Sequence, residues 1–280
     1  MNTDNITKNQ AIDDILATIK QQTIEYSSHY WVPSLKKEIR FRDINTSQQK
    51  RLVKSIVDSP VFNTEFILTL SDILMENCVD PEVNVMSLTI LDKLALAINL
   101  RAVCVGNMLK IQATEKGKSF TVELDLNQIY EKCKTALIGV EAETFDDQVF
   151  TITCGVPTIQ TETDLERELR GSGNNALEIS DPSQLRTTIG DAFMSELVKY
   201  ITAVSVKSNG ELKAVEWSTL SFTDRIRVIE QFNAHLLKKI VGYINKVKEQ
   251  MNAVELYTVE VDGEKITRRL SIDGNFFIVS

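Results

Sequence analysis

The chain has 280 residues, 43% of them hydrophobic and 25% charged, with 39 acidic against 31 basic side chains and a formal net charge of −8. This length gives one or two domains, and a chain of this size buries about three quarters of its unfolded surface, so its core needs no staples. A mean hydropathy of −0.10, with no apolar run near the ~18 residues of a spanning helix, argues against a membrane-embedded protein, and the acidic balance argues against an electrostatic grip on nucleic acid phosphates.

The opening MNTDNITKNQAIDD lacks the basic start and apolar stretch of a secretion signal, which places the protein in a cytoplasm. Residues 9–26 put Ile12, Ile15, Leu16, Ile19 and Tyr26 on one helical stripe with polar residues opposite. SSHYWVP then breaks the pattern, because Pro33 favours an extended residue before it. Residues 1–30 therefore read as an amphipathic helical arm joined to a body.

The body opens at EIRFRDI, a strand carried by Ile39, Phe41 and Ile44, followed by a helix with Thr46 as cap, Gln49 closing a capping box, and Leu52, Val53, Ile56 and Val57 on the buried face. Pro60 ends it. Phe66, Ile67, Leu70, Ile73 and Leu74 mark a second helix, and the apolar run from Thr89 to Gly106 a third. MLKIQA and SFTVELDL flank turn residues as a hairpin, with Phe120, Val122, Leu124 and Leu126 on one side, and Asn127 is placed to cap a short helix. Residues 31–140 make a first unit of strand, helices and hairpin.

Residues 141–280 make a loop-rich second unit. EAETFDD reads as an acidic loop, VFTITCGV as a strand and GSGNNALEIS as a flexible loop. Asp181 and Pro182 start a long helix that should bury Leu185, Ile189, Phe193 and Leu197. The strand ELKAVEW, two helices and the hairpin around DGEK follow. The order strand, capped helix, further helix and hairpin thus occurs twice, which raises a weak internal duplication with little residue identity. The chain closes on SIDGNFFIVS, whose Phe276 and Phe277 must dock on their own core or wait for a partner, and docking is the expectation. The fold class is α+β, a mainly helical body with small antiparallel hairpins.

Chemistry is sparse. His29 and His235 lack the neighbours of a metal or catalytic site and read as surface or packing residues. Cys78, Cys104, Cys133 and Cys154 are too far apart for a metal ribbon and read as buried thiols. GSG at 171–173 lacks the rest of a phosphate cradle. Glu141, Glu143, Asp146 and Asp147 do not follow a calcium-loop pattern. No catalytic residue, cofactor site or metal site is assigned.

Three stretches, EIRFRDINTSQQKRLVKS, LTILDKLALAINLRAVCVGN and IDGNFF, resemble in order and spacing the baseplate hub assembly proteins of T-even-type contractile-tailed bacteriophages. In that family an apolar-x-Phe-Arg strand leads into a polar helix start, matched by Ile39, Phe41 and Arg42 ahead of Thr46. A Leu-Arg-x-x-Ser-Val-Gly signature closes a later helix, matched by Leu100, Arg101, Val105 and Gly106 with Cys104 in the serine position. An Asp-x-x-Phe-Phe tail is matched by Asp273, Phe276 and Phe277.

The similarity runs from residue 32 to the end, with the arm as an extension. The cysteine pairs that relatives often carry in their hairpins are absent from TEKGK and VDGEK, so no metal-supported hairpin is expected. The resemblance implies a non-enzymatic role in building the central hub of the tail baseplate, in the host cytoplasm. Its implied partners are other hub proteins, with homo-oligomers also compatible, and no cofactor, nucleic acid or membrane. Two alternatives stay open: a permanent baseplate component of the virion, and a hydrolase whose acidic pair assembles only in the fold. The arm stripe and the Phe pair are the candidate partner-binding residues.

Overall fold

The computed structural model describes residues 12–19, 21–22, 27–58, 64–115, 117–171, 182–208, 211–261 and 264–277. The architecture is α+β, with helices gathered around one apolar core and, among the described residues, four small antiparallel sheets. Residues 12–19 and 21–22 are helical and form α1. The body then begins at Ser28, inside the stretch read as arm. Strand β1 (Ser28–Val32) pairs with β2 (Lys37–Phe41) in a hairpin that places Tyr30 opposite Ile39. Tyr30, Val32, Ile39 and Phe41 are buried, and the rings of Tyr30 and Phe41 stack at 5.2 Å. Pro33 opens the turn of this hairpin, so it punctuates two strands rather than separating arm from body.

Helix α2 (Thr46–Asp58) starts one residue earlier than the sequence suggests. Asn45 is the cap: the Gln48 backbone N–H donates to its side chain at 2.9 Å, and the Gln48 amide oxygen accepts from the Asn45 N–H at 3.1 Å. This is a capping box shifted back from Thr46 and Gln49, because Asn is at least as good a cap as Thr and its partner stands three residues on. Gln48 also bonds Asn77 at the end of α3 (Thr64–Asn77), joining the two helices by a buried amide pair.

Helix α4 (Ile90–Cys104) is the centre of the molecule, with every residue from Ile90 to Ala102 buried. A helix with buried residues on every side has to be packed around by the rest of the fold, and its polar residues, among them Asp92, Lys93 and Arg101, need partners inside it. Thr89 and Asp92 form its capping box, and the second Asp92 oxygen accepts from Ser34 N–H at 2.8 Å, tying the first hairpin to the helix start. Gly106, just past its end, has φ +133°, a value that L side chains rarely adopt.

The hairpin β3 (Met108–Glu115) and β4 (Lys118–Asp125) leads into α5 (Leu126–Ala136). The cap of α5 is Asp125 rather than Asn127, its side chain accepting from the Asn127 N–H. The acidic stretch read as a loop is the edge strand β5 (Glu143–Asp146), which pairs with β6 (Phe150–Cys154). Then come α6 (Ile159–Gly171), α7 (Pro182–Tyr200), β7 (Ile201–Ser208) and β8 (Glu211–Val215), with sheet order β5-β6-β7-β8.

Neither α6 nor β7 is evident in sequence, since α6 is mostly polar and β7 follows α7 without a turn signal. The GSGNNALEIS stretch beyond Gly171 and the cap Asp181 lie outside the described residues. In α7, Leu197 is buried as expected, whereas Phe193 is 48% exposed, and the side chains of Leu185 and Ile189 lie outside the described residues. The chain finishes through α8 (Phe222–Ile229), α9 (Ala234–Glu255), the hairpin β9 (Leu256–Val261) and β10 (Glu264–Arg269), and a short 3-10 turn at Gly274–Phe277. The two repeated orders differ in their sheets: β2 belongs to an isolated hairpin, but its counterpart β8 edges the four-stranded sheet.

Candidate functional site

Three features bear on function: the arm, the tail and a charged cavity. Along α1, Ile12, Ile15, Leu16 and Ile19 are between 51% and 58% exposed. The stripe is therefore not covered by the body, although four aliphatic side chains in a row are the material of an interface. Tyr26, the fifth residue assigned to it, lies outside the described residues.

The tail does the opposite. Phe276 is 3% and Phe277 0% exposed, and their rings meet edge to face at 5.3 Å, with Phe66 of α3 6.1 Å from Phe277. The backbone of this turn is held by side chains from the first half of the chain. Arg101, itself 2% exposed, donates from Nε to the Phe276 carbonyl at 2.6 Å and from Nη1 to the Gly106 carbonyl. Gln49 Nε2 donates to the Phe277 carbonyl at 3.4 Å. Asp273 begins the turn by accepting the Phe276 N–H at 3.0 Å and the Ser271 hydroxyl at 2.8 Å.

The signature residues thus converge. Leu100, Arg101 and Gly106 end the central helix, Asp273, Phe276 and Phe277 supply the turn that Arg101 grips, and its guanidinium satisfies the buried Phe276 carbonyl and the half-buried Gly106 carbonyl. Phe41 is buried in the first hairpin, and Arg42 donates to the Glu76 carbonyl at the end of α3, beside the Arg42 N–H to Asn77 carbonyl bond of 2.9 Å. Burial leaves neither Phe276 nor Phe277 on the surface as a contact for a partner, and depresses the Arg101 pKa.

A cavity of about 330 Å³ lies among α3, α4, α6, α7, α9 and the strand β10. Its polar wall is a set of ion pairs that the sequence reading did not find. Glu162 of α6 receives Lys93 of α4 at 2.9 Å on one oxygen and Lys199 of α7 at 2.8 Å on the other. Lys93 also donates to Ser71 Oγ and the Ile67 carbonyl. Desolvation, the largest influence on Glu162, pushes its carboxyl up, but the combined pull of Lys93 and Lys199 wins and holds it at about 2. Burial pulls the Lys199 ammonium down, and Glu162 and Glu196 outweigh this and raise it. At the rim Lys248 pairs with Glu196 at 2.9 Å and Arg269 with Glu255 at 2.7 Å. One signal was available: Lys93 stands in the strongly apolar run of α4 and so needed a buried partner.

The remaining candidates are dispersed. His29 and His235 are exposed. Cys133 and Cys154 are buried and Cys78 and Cys104 only partly so, a correction for the latter two, and all four are free thiols. Burial raises the Cys133 and Cys154 thiols to about 12, which makes them poor nucleophiles at neutral pH. Glu143 and Asp146 pair with Lys246 and Lys207 across the sheet edge, while Asp147 caps the β5–β6 turn by accepting the Val149 and Phe150 N–H groups. Among the described residues no group of three or more His, Cys, Asp or Glu is placed to hold a metal ion, and no helix is long and apolar enough to cross a membrane.

Comparison with known proteins finds no match among curated proteins or solved structures. A family profile described as T4 bacteriophage base plate protein matches residues 23–257. That span contains the Phe41–Arg42 and Leu100–Gly106 signatures and most of the core, while the Ile12–Ile19 stripe precedes it and the Phe276–Phe277 turn follows it. With most of its length matched, the chain belongs to the T4 bacteriophage base plate protein family.

Proposed function

We propose that this baseplate protein acts without catalysis in assembling the central hub of a contractile tail, and that its arm is the element that engages another hub protein. The observation that carries this reading is the exposure of Ile12, Ile15, Leu16 and Ile19 along one face of α1, beside a body whose own core is closed by the tail. An isolated helix of this length is only marginally stable in water, so its apolar face gains most by docking on a groove of another chain. The cavity fits a structural role better than an acid–base one, because its carboxylates Glu162, Glu196 and Glu255 are each held by a Lys or Arg rather than sharing a proton.

The test is deletion of residues 1–26, which leaves β1 intact. The truncated protein should keep its melting temperature within a few degrees and lose the hub proteins that the full chain captures from infected cells, identified by mass spectrometry. A truncated protein that melts far lower at the same oligomeric state, or that captures the same hub proteins, contradicts the role given to the arm. Absence of the protein from purified virions is expected of an assembly factor, and its presence there assigns it instead to the finished baseplate.

A further inference from the structure

We propose that β8 is a self-association edge, at which two copies of the chain pair antiparallel about Leu212 and join their four-stranded sheets into one of eight strands. Strand β8 ends the sheet, and Glu211, Leu212, Lys213 and Ala214 are all exposed, Leu212 at 60%. The backbone direction on this edge follows from its neighbour. Lys207 N–H donates to the Val149 carbonyl on the β6 side at 2.7 Å, so by alternation Val206 and Ser208 turn their backbone groups toward β8, where they stand opposite Lys213 and Glu211. Glu211 and Lys213 therefore spend their N–H and C=O groups on β7, and Leu212 and Ala214 point theirs away from the sheet, as a template for another strand.

Charge selects what binds there and in what register. A charged edge ordinarily discourages pairing, but the order Glu-Leu-Lys is self-complementary. Antiparallel pairing centred on Leu212 sets Glu211 of each copy opposite Lys213 of the other on one face, and Leu212 against Leu212 on the other face. It also lets the two Leu212 residues exchange N–H to C=O bonds across the two-fold axis. A register centred on Lys213 sets ammonium against ammonium and brings together backbone groups already used by β7. Among the described residues neither Glu211 nor Lys213 forms an ion pair within its own chain, so both are available to a second copy. The interface is short and lies below the ~1,200 Å² of stable complexes, which sets the affinity in the micromolar range or weaker.

Sedimentation velocity of the full chain from about 5 to 300 μM should show a concentration-dependent monomer–dimer equilibrium. Leu212→Pro removes an outward N–H and no bond to β7, so it should give a monomer with unchanged melting temperature. Glu211→Lys or Lys213→Glu should each weaken the dimer roughly tenfold, and the double exchange should restore it. A wild-type chain that stays monomeric throughout overturns the proposal, as does a dimer indifferent to Leu212→Pro and both reversals, or a double exchange no tighter than the single ones. A monomeric wild type whose Leu212→Pro variant loses a different baseplate protein would give the edge to that partner and overturn pairing between copies.

Discussion

Phe277→Ala removes a ring that is 0% exposed and packed against Phe66 and Phe276. Truncating a fully buried aromatic residue costs about 3–5 kcal/mol, the sum of lost transfer energy and the cavity left behind. The site has little room to relax, since Arg101 and Gln49 hold the backbone of the same turn from the other half of the chain. At about 2.1 cal/mol/K per residue, the 280-residue chain has a melting entropy near 0.6 kcal/mol/K, so the melting temperature should fall by about 5–8 °C. Calorimetry with urea denaturation provides the measurement, and Phe193→Ala provides the control, because Phe193 is 48% exposed and its loss should change stability by no more than about 0.5 kcal/mol. If Phe277→Ala melts with wild type and Phe193→Ala, the tail does not close the core, and the argument from the buried turn fails.

Arg101→Ala should destabilise by at least about 3 kcal/mol in the same assay, because it strands the Phe276 and Gly106 carbonyls as well as opening space. Gly106→Ala, at φ +133°, should cost about 1–3 kcal/mol through backbone strain alone. Glu162 lies below its ordinary value of 4.5, so its ion pairs stabilise the fold above that pH and are lost as pH falls toward about 2, while the raised Lys199 contributes below about 10.5 and loses its contribution above it. The stability advantage of wild type over Glu162→Gln, on the order of 3 kcal/mol or more at pH 7, should therefore shrink between pH 4.5 and pH 2, as urea titrations at pH 7 and 2.5 would show. Asn45→Ala should cost about 1 kcal/mol and Thr46→Ala little, which checks the position of the α2 cap.

The parts of this fold that are legible in sequence are those whose signals are local. The apolar run from Thr89 to Gly106 announces α4, and the turn residues mark β3–β4 and β9–β10, because helix ends and turns are made by residues close together in the chain. The misplaced caps at Asn45 and Asp125 show how adjacent polar residues compete for one such role. What is not legible is the result of distant partners. The polar face of α6 looks like a solvated segment until Lys93 and Lys199 converge on Glu162, and β5 looks like an acidic loop until β6 supplies its ladder and Lys246 and Lys207 its counter-charges. The arm stripe is readable as amphipathic, but only the structure shows that Ile12, Ile15, Leu16 and Ile19 are each more than half exposed. The Leu100–Gly106 and Asp273–Phe277 motifs were visible separately, and their connection through Arg101 was not.

The role proposed for this baseplate protein is hub assembly through its arm. The most direct measurement is infection with a phage lacking this protein, complemented with the full chain or with residues 27–280, with completed baseplates counted by electron microscopy after sedimentation. The full chain should restore completed baseplates and infectious particles, and the arm-deleted chain should restore neither although its body folds. Normal baseplate numbers in the absence of the protein, or equal rescue by the arm-deleted chain, would contradict the account.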